Sequence, residues 1–452
     1  MSLLHGLELP ETTRECLTDL VLLQISLLEY AATTPLTTIN KGIDPCAQYL
    51  EHKGPRFFGQ GSKIAEWFFD PRAKTRERLL TDFAQKYQAT SKDKAVQHKQ
   101  KAWLKRIRAE ISDLLDSNSP LLTVGDFLEN DAEAPLKKSK KKLSEETELT
   151  YQEVAREFFL YFYKNYIGTD EKFPASIFTM FNKHPFGRQE ILDAFLDENK
   201  GLDICAVGDQ SRYYTHGQQK TNSILDHYFP KETYPHFACH PYNLIPICYA
   251  CNSSVKGSKD PFLNKDKKRR SLSKKSLPYR HRLSEQTYLD VEPGKQAELI
   301  QIKELKPRPD KVGKIDDDIQ AAVELLQHIY QLPDRWGYSD QTIKIFDILF
   351  RRIRHFLDGG RIVSYGTNRE DEIYNALKQL LYYLDADDQR RDPFAFAMAW
   401  ILVSLLKSKY TNIAAWKGLT EEINSWSGTD LDLSNKRNAH VEALLQDFEV
   451  SQ

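Results

Sequence analysis

The sequence predicts a mainly α, multi-domain protein with one small α+β module near its centre. Three observations predict it. Apolar residues recur at helical spacing toward both ends of the chain. The length of 452 residues exceeds the ~250 to 300 that a single hydrophobic core organises. One short stretch, "SILDHYFPKETYPHFACHPYNLIPICYACNSSVKG" at 223–257, gathers an Asp-His pair, two isolated asparagines and a CxxC, a mixture that core packing alone does not require.

The N-terminal region, 1–131, reads as helical. In "RECLTDLVLLQISLLEY" (14–30) Leu17, Leu20, Val21, Ile25 and Leu28 share a helix face, and a charged stretch at 72–116 continues the pattern. "AEAPLKKSKKKLSEETELT" (132–150) has five clustered lysines, Pro135 and no apolar period, which marks a linker. The next domain, 151–310, opens with "YQEVAREFFLYFYKNYI", a buried aromatic helix by the spacing of Val154, Phe158, Phe162 and Tyr166. A second helix follows at about 188–199, then "GLDICAVGDQ", where Gly201 and Gly208 flank a short strand-like piece. The residues of about 201–264 form the core of this module.

Downstream, 256–282 holds eleven Lys or Arg against two Asp. "TYLDVEPGKQAELIQIKEL" (287–305) reads as a strand pair around a Pro-Gly turn. The C-terminal domain, 311–452, is helical again, with Ile319, Ala322, Val323, Leu326 and Tyr330 on one face, then "TIKIFDILFRRIRHFL", a stop at Gly359 and Gly360, and an apolar helix at 394–406. That apolar run is 13 residues, short of the ~20 a membrane span needs. No membrane is expected.

Composition narrows the function classes. The 63 Lys and Arg nearly cancel 64 Asp and Glu, so any affinity for an anionic partner must be local. Six cysteines are too few for a disulfide scaffold, and a CxxC in a reducing compartment points to metal binding, so a cytoplasmic location is expected. "MSLLHGLELPETTRECLTDL" does not resemble a secretory signal.

Hydrolysis of a phosphodiester at neutral pH needs a base, a divalent cation and a rigid frame. His227 titrates near working pH, and Asp226 is a hard oxygen donor suited to Mg²⁺ or Mn²⁺. Neighbours on a flat strand face opposite ways, so the strand must end or twist at this pair, and Pro230 agrees with that. Asn252, nine residues beyond Asn243, can return beside Asp226 as a neutral oxygen ligand, while Asn243 can tie the loop through backbone groups. The shape is a β-hairpin followed by a helix.

These residues resemble the HNH, or ββα-metal, endonucleases, through "LDHYFP", Asn243 in "YNLIP" and Asn252 in "CNSSVKG". The resemblance covers 200–260. It implies His227 as general base, Asp226 and Asn252 as ligands of one catalytic Mg²⁺-like ion, Asn243 as the residue orienting the hairpin, and Lys256 as the helix lysine near phosphate. Many members also bind structural Zn²⁺ through two CxxC pairs. Cys248 and Cys251 form one such pair here, but Cys205 is followed by Gly208 where the fourth thiol is expected, leaving Asp209, His216, Cys239 or His240 as substitutes. Without metal, the three cysteines read as small buried hydrophobes.

Beside the module, Lys256, Lys259, Lys267, Lys268, Arg269 and Arg270 are the expected contacts to a nucleic-acid backbone, with Tyr279 and Phe262 as aromatic rings able to stack on bases or pack in the core. His236, Cys239 and His240 read as loop or packing residues, Cys16 and Cys46 as core thiols, and His328 and His355 as ordinary helix-face residues. The expected activity is cleavage of DNA, with RNA as an alternative substrate in a toxin. The rival from another class is a non-catalytic module binding nucleic acid or protein. The helical flanks are expected to bind a partner protein or a second copy, and the architecture resembles that of effectors in bacterial defence against phage.

Overall fold

Helix α1 (Glu11–Thr33) is apolar on most of its faces, and Leu17, Val21, Ile25, Leu27 and Leu28 are fully buried. By length and composition it could cross a membrane, yet 78% of its apolar window is buried inside the protein, as in the core helix of a globular unit. The computed structural model describes residues 7–53, 57, 59–71, 74–89, 94–116, 118, 120–128, 149–167, 187–199, 202–209, 223–264, 266–277, 279, 283–293, 300–337, 339–358, 369–384 and 394–429. The lysine run at 132–148, His216, Gly201, Gly294 of the Pro-Gly turn, Gly359, Gly360 and the side chain of His355 lie outside the described residues.

Helix α1 packs on α2 (Ile43–His52), which packs on α3 (Gly61–Phe68), and on α4 (Lys74–Ala89) and α5 (Lys94–Leu115). Gly61 allows α3 to approach α2, since a Cβ there would lie 2.5 Å from the Ala47 carbonyl oxygen. Helix α6 (Tyr151–Phe162) opens on a capping box in which Thr150 and Glu153 satisfy each other's backbone N–H groups. Phe158, Phe159 and Phe162 of α6 lie in an aromatic core with Trp67, Phe68 and Phe127, and the helix widens into a π turn over Tyr163–Ile167. Helix α7 spans Arg188–Glu198.

The expected strand-like piece after α7 is instead a turn. Asp209 N–H donates to the Cys205 carbonyl at 3.2 Å, and Asp209 takes φ +53°, which curls the segment and leaves Ile204 as its single bridging residue. Strand β1 (Leu121–Leu122) pairs antiparallel with β4 (Leu272–Ser273), and β2 (Ser223–His227) with β3 (Leu244–Cys248). Strands β5 (Thr287–Pro293) and β6 (Ile300–Pro307) form the third antiparallel pair. The protein is thus mainly α with short two-stranded sheets.

Two compact units result. One comprises Met1–Leu283 and Pro309–Tyr330, including α8 (Asp317–Tyr330); the other comprises Ser284–Arg308 and Gln331–Gln452. This differs from the boundaries drawn on the sequence. Helices α1 and α5 pack on the segment joining β2 to β3, so 1–131 and the module share one unit, and α8 joins it by packing on the helix after β3. Chain contiguity suggested the cut at 311, but the apolar face of α8 finds its partner across sequence. In the second unit, α9 (Leu332–Gly337) packs on β6 and α12 (Ala395–Thr411) on β5, with α10 (Ser339–Asp358), α11 (Arg369–Tyr383) and α13 (Ile413–Thr429) completing a helical group.

Candidate functional site

Strand β2 ends at His227, which pairs with Leu244, and the chain then departs through Pro230 into the 228–243 connection. Asn243 closes that connection. Its Oδ1 accepts from Phe229 N–H at 2.5 Å, and its Nδ2 donates to the carbonyls of Phe229 at 3.2 Å and Phe237 at 2.8 Å. Its own carbonyl accepts from Tyr228 N–H at 2.8 Å. Asn243 is fully buried, so the loop on which the site depends has its backbone groups satisfied by one side chain.

After β3 a seven-residue π-helical turn, Ala250–Lys256, carries the chain back along the hairpin and stops at Gly257, whose φ of +51° suits glycine. This return brings Lys256 Nζ to 2.9 Å from Asp226 Oδ2, with both side chains nearly inaccessible to solvent, at 2% and 8%. The contact is a buried ion pair, and Lys256 is the cation that meets Oδ2. Burial raises the Asp226 pKa above the ordinary carboxylate value, opposed by Lys256 and Lys231. Asn252 lies one turn before Lys256 on the same helix and is half-buried, its carbonyl accepting Gly257 N–H at 2.9 Å.

His227 is buried too, and its Nε2 lies 3.0 Å from the Ala238 carbonyl. A carbonyl only accepts, so Nε2 carries the proton and Nδ1 keeps the lone pair. Burial, then Lys231, holds the imidazole pKa well below its ordinary value, so the ring is neutral at pH 7. The Tyr163 ring meets it edge-on, with centroids 4.2 Å apart.

Sequence reasoning missed the surroundings of Asp226. The hydroxyls of Tyr228 and Tyr330 are fully buried and, among the described residues, have no hydrogen-bonding partner. Burial first, then Asp226, Cys251, Tyr228 and Cys205, holds Tyr330 well above an ordinary phenol. Tyr228 follows His227 directly and was legible as a neighbour; Tyr330 arrives from α8, and no local signal announces it.

A second constellation adjoins the hairpin. The sulfurs of Cys205, Cys248 and Cys251 lie within 4.8 Å of one another, with Cys205 and Cys251 Sγ 3.9 Å apart. Tetrahedral zinc–thiolate bonds of ~2.3 Å put sulfurs about 3.8 Å apart, so this buried cluster can hold a metal such as zinc. Burial raises the Cys205 thiol well above its ordinary pKa, so loading a metal must displace protons. Among the described residues, no fourth His, Cys, Asp or Glu donor joins the group. Cys239 contacts Gln24, and His240 lies between the Ile111 carbonyl and Tyr242 N–H. Asp209 stands outside the cluster.

Several cations of the basic segment have partners within the protein. Lys259 donates to the Ile329 carbonyl at 3.1 Å, Arg270 to that of Pro261 at 3.2 Å, and Arg269 to that of Val124 at 2.8 Å while pairing with Asp126. Buried Lys274 is held by Asp113 and the Asp116 carbonyl. Of the six expected backbone contacts, Lys267, Lys268 and Arg269 are exposed, and Lys256, Lys259, Arg269 and Arg270 serve the protein's own carbonyls and carboxylates. Phe262 is fully buried, stacked on Phe229 at 4.8 Å, and Tyr279 stacks on Phe195 while donating to the Leu244 carbonyl. Both rings are packing residues. His236 is buried against Phe127, with Nε2 3.0 Å from Glu110 Oε2.

Comparison of the chain with protein-family models, with curated proteins and with solved structures finds no match.

Proposed function

We propose that the hairpin and helix of 223–257 form an HNH-type, ββα-metal nuclease site that hydrolyses phosphodiester bonds of nucleic acid, DNA in the first place. The observation that carries this reading is the convergence of Asp226 from β2 and Lys256 from the following helix at 2.9 Å, with the next residue of β2, His227, held in one tautomer.

In this mechanism the neutral His227 receives the proton of the attacking water at Nδ1, while Nε2–H stays on the Ala238 carbonyl and keeps the ring oriented. Asn243 holds the loop that supplies that carbonyl, since it bonds Phe229 and Phe237 on either side of the turn. Asp226, whose buried Oδ2 meets Lys256, and half-buried Asn252 are hard oxygen donors of the kind Mg²⁺ or Mn²⁺ takes. When bound, such an ion supplies stabilisation of charge on the phosphate and the departing 3′ oxygen. Lys256 offers a positive charge to a phosphate oxygen, and the exposed Lys267 and Lys268 offer backbone contacts.

A second reading is a nucleic-acid or protein binding module on the same scaffold. The burial of His227 and the internal engagement of most of the basic segment favour it. Incubation of the protein with plasmid DNA and with total RNA, in Mg²⁺, Mn²⁺ or EDTA, separates the two. Cleavage that needs the metal and disappears in His227→Ala is expected; metal-independent cleavage, or equal cleavage by the variant, refutes the proposed site. Partner binding or self-association through the flanking helices is part of the same proposal, tested by size-exclusion with light scattering.

A further inference from the structure

The Asp226–Lys256 pair raises a question that the nuclease reading leaves open. Asp226 is the proposed metal ligand, yet its Oδ2 already has a cation 2.9 Å away, in a place where both side chains are nearly out of solvent. A buried carboxylate without a counter-ion is costly, and the ammonium relieves that cost. Mg²⁺ binds oxygen at ~2.1 Å, so an ion on the same oxygen would stand within about 5 Å of Nζ from any direction. At that distance in a buried setting, like charges repel strongly.

Lys256 also has the means to leave. It is the last residue of its helix, and Gly257, at φ +51°, has open space where its Cβ would be. The following Ser258 is exposed. A lysine head on a flexible four-carbon stem at such an end can swing out without unwinding the helix.

Resting on the nuclease reading, we propose that Lys256 is an internal competitor of the catalytic cation: its ammonium occupies Asp226 in the metal-free protein, and a divalent ion enters only by displacing it. Metal affinity is therefore low until the ammonium has somewhere else to go. A substrate phosphate is such a place, so metal and nucleic acid bind with mutual reinforcement and the site assembles on its substrate.

The test needs no turnover. Mn²⁺ binding to the full-length protein, without nucleic acid, is measured by calorimetry for wild type, Lys256→Gln and Asp226→Asn. Lys256→Gln should bind at least tenfold more tightly than wild type, and Asp226→Asn should lose the site. In wild type, Lys256 should be shielded from an amine-acylating reagent without metal and become several-fold more reactive with saturating Mn²⁺, read by peptide mass spectrometry. This second measurement decides the matter if Lys256→Gln does not fold. Asp226-dependent Mn²⁺ binding with Lys256 still shielded, and no gain in Lys256→Gln, overturns the competition and leaves the nuclease site standing. Absence of any Asp226-dependent binding overturns both.

Discussion

The chain builds two antiparallel hairpins of opposite character. In β5–β6 charge faces outward: Lys306 pairs with Asp290 and Glu304, Lys303 pairs with Glu292, and all five side chains are at least one-third exposed. Leu289 faces Leu305 and Val291 faces Ile302, and a bulge at Asp290/Val291 lets both pairs point inward. In β2–β3 every residue of β3 is buried, and so are Asp226 and His227 at the end of β2. The first arrangement is what a stable hairpin needs. The second buries a carboxylate and an imidazole that packing alone does not demand, and polar groups held at such cost gather where chemistry is done.

Mutation should separate the two hairpins. The largest effect falls on activity: His227→Ala should lower cleavage by about 10² to 10⁴, the span expected for loss of a general base, in a gel assay with Mg²⁺. Next is Asn243→Ala. It strands the Phe229 N–H and carbonyl inside the protein and leaves the Phe237 carbonyl with the His240 N–H as its remaining donor. At ~1 kcal/mol or more for each of these two stranded groups, urea unfolding should register a loss of about 2 to 4 kcal/mol. Elemental analysis of protein purified without chelator should find about one zinc per chain bound by the thiol cluster, and Cys248→Ser should reduce that content and lower Tm by several degrees.

Acid should act on β2–β3 and its connection before it acts on β5–β6. Burial lowers the pKa of His227, His236 and His240, the last to about 3. A histidine depressed on folding contributes stability that is present above the unfolded pKa of ~6.5 and lost as pH falls below it. All three groups make stability fall as pH drops from 7 to 6, measured by denaturant midpoints. Asp226, whose pKa is raised, works in the opposite sense, gaining stability as pH falls through its folded value. The smallest change belongs to the outward hairpin. Lys306→Ala should leave the midpoint near that of wild type, because exposed ion pairs are screened by water and salt. A large effect there, or none at Asn243, would erase the contrast.

Much of the architecture was legible along the chain. Helical periodicity located α1, α5, α6 and α8, and apolar runs bounded by Pro, Gly and Asn located β3 and the β5–β6 pair. These are local signals: spacing decides which face is apolar, and turn residues decide where an element stops. The Asp-His pair, Asn243 and the CxxC were visible as unusual neighbours for the same reason.

Partners of each charge were not. The sequence shows eleven cations in 256–282, but not that Asp113, Val124, Asp126 and Ile329 would come to meet them, nor that Lys256 would lie against Asp226. Composition and periodicity determined by themselves that the protein is mainly helical and where its polar residues are concentrated. Tertiary structure alone decided which of those residues face water and which face one another, because burial and ion pairing depend on distances between segments far apart in the chain.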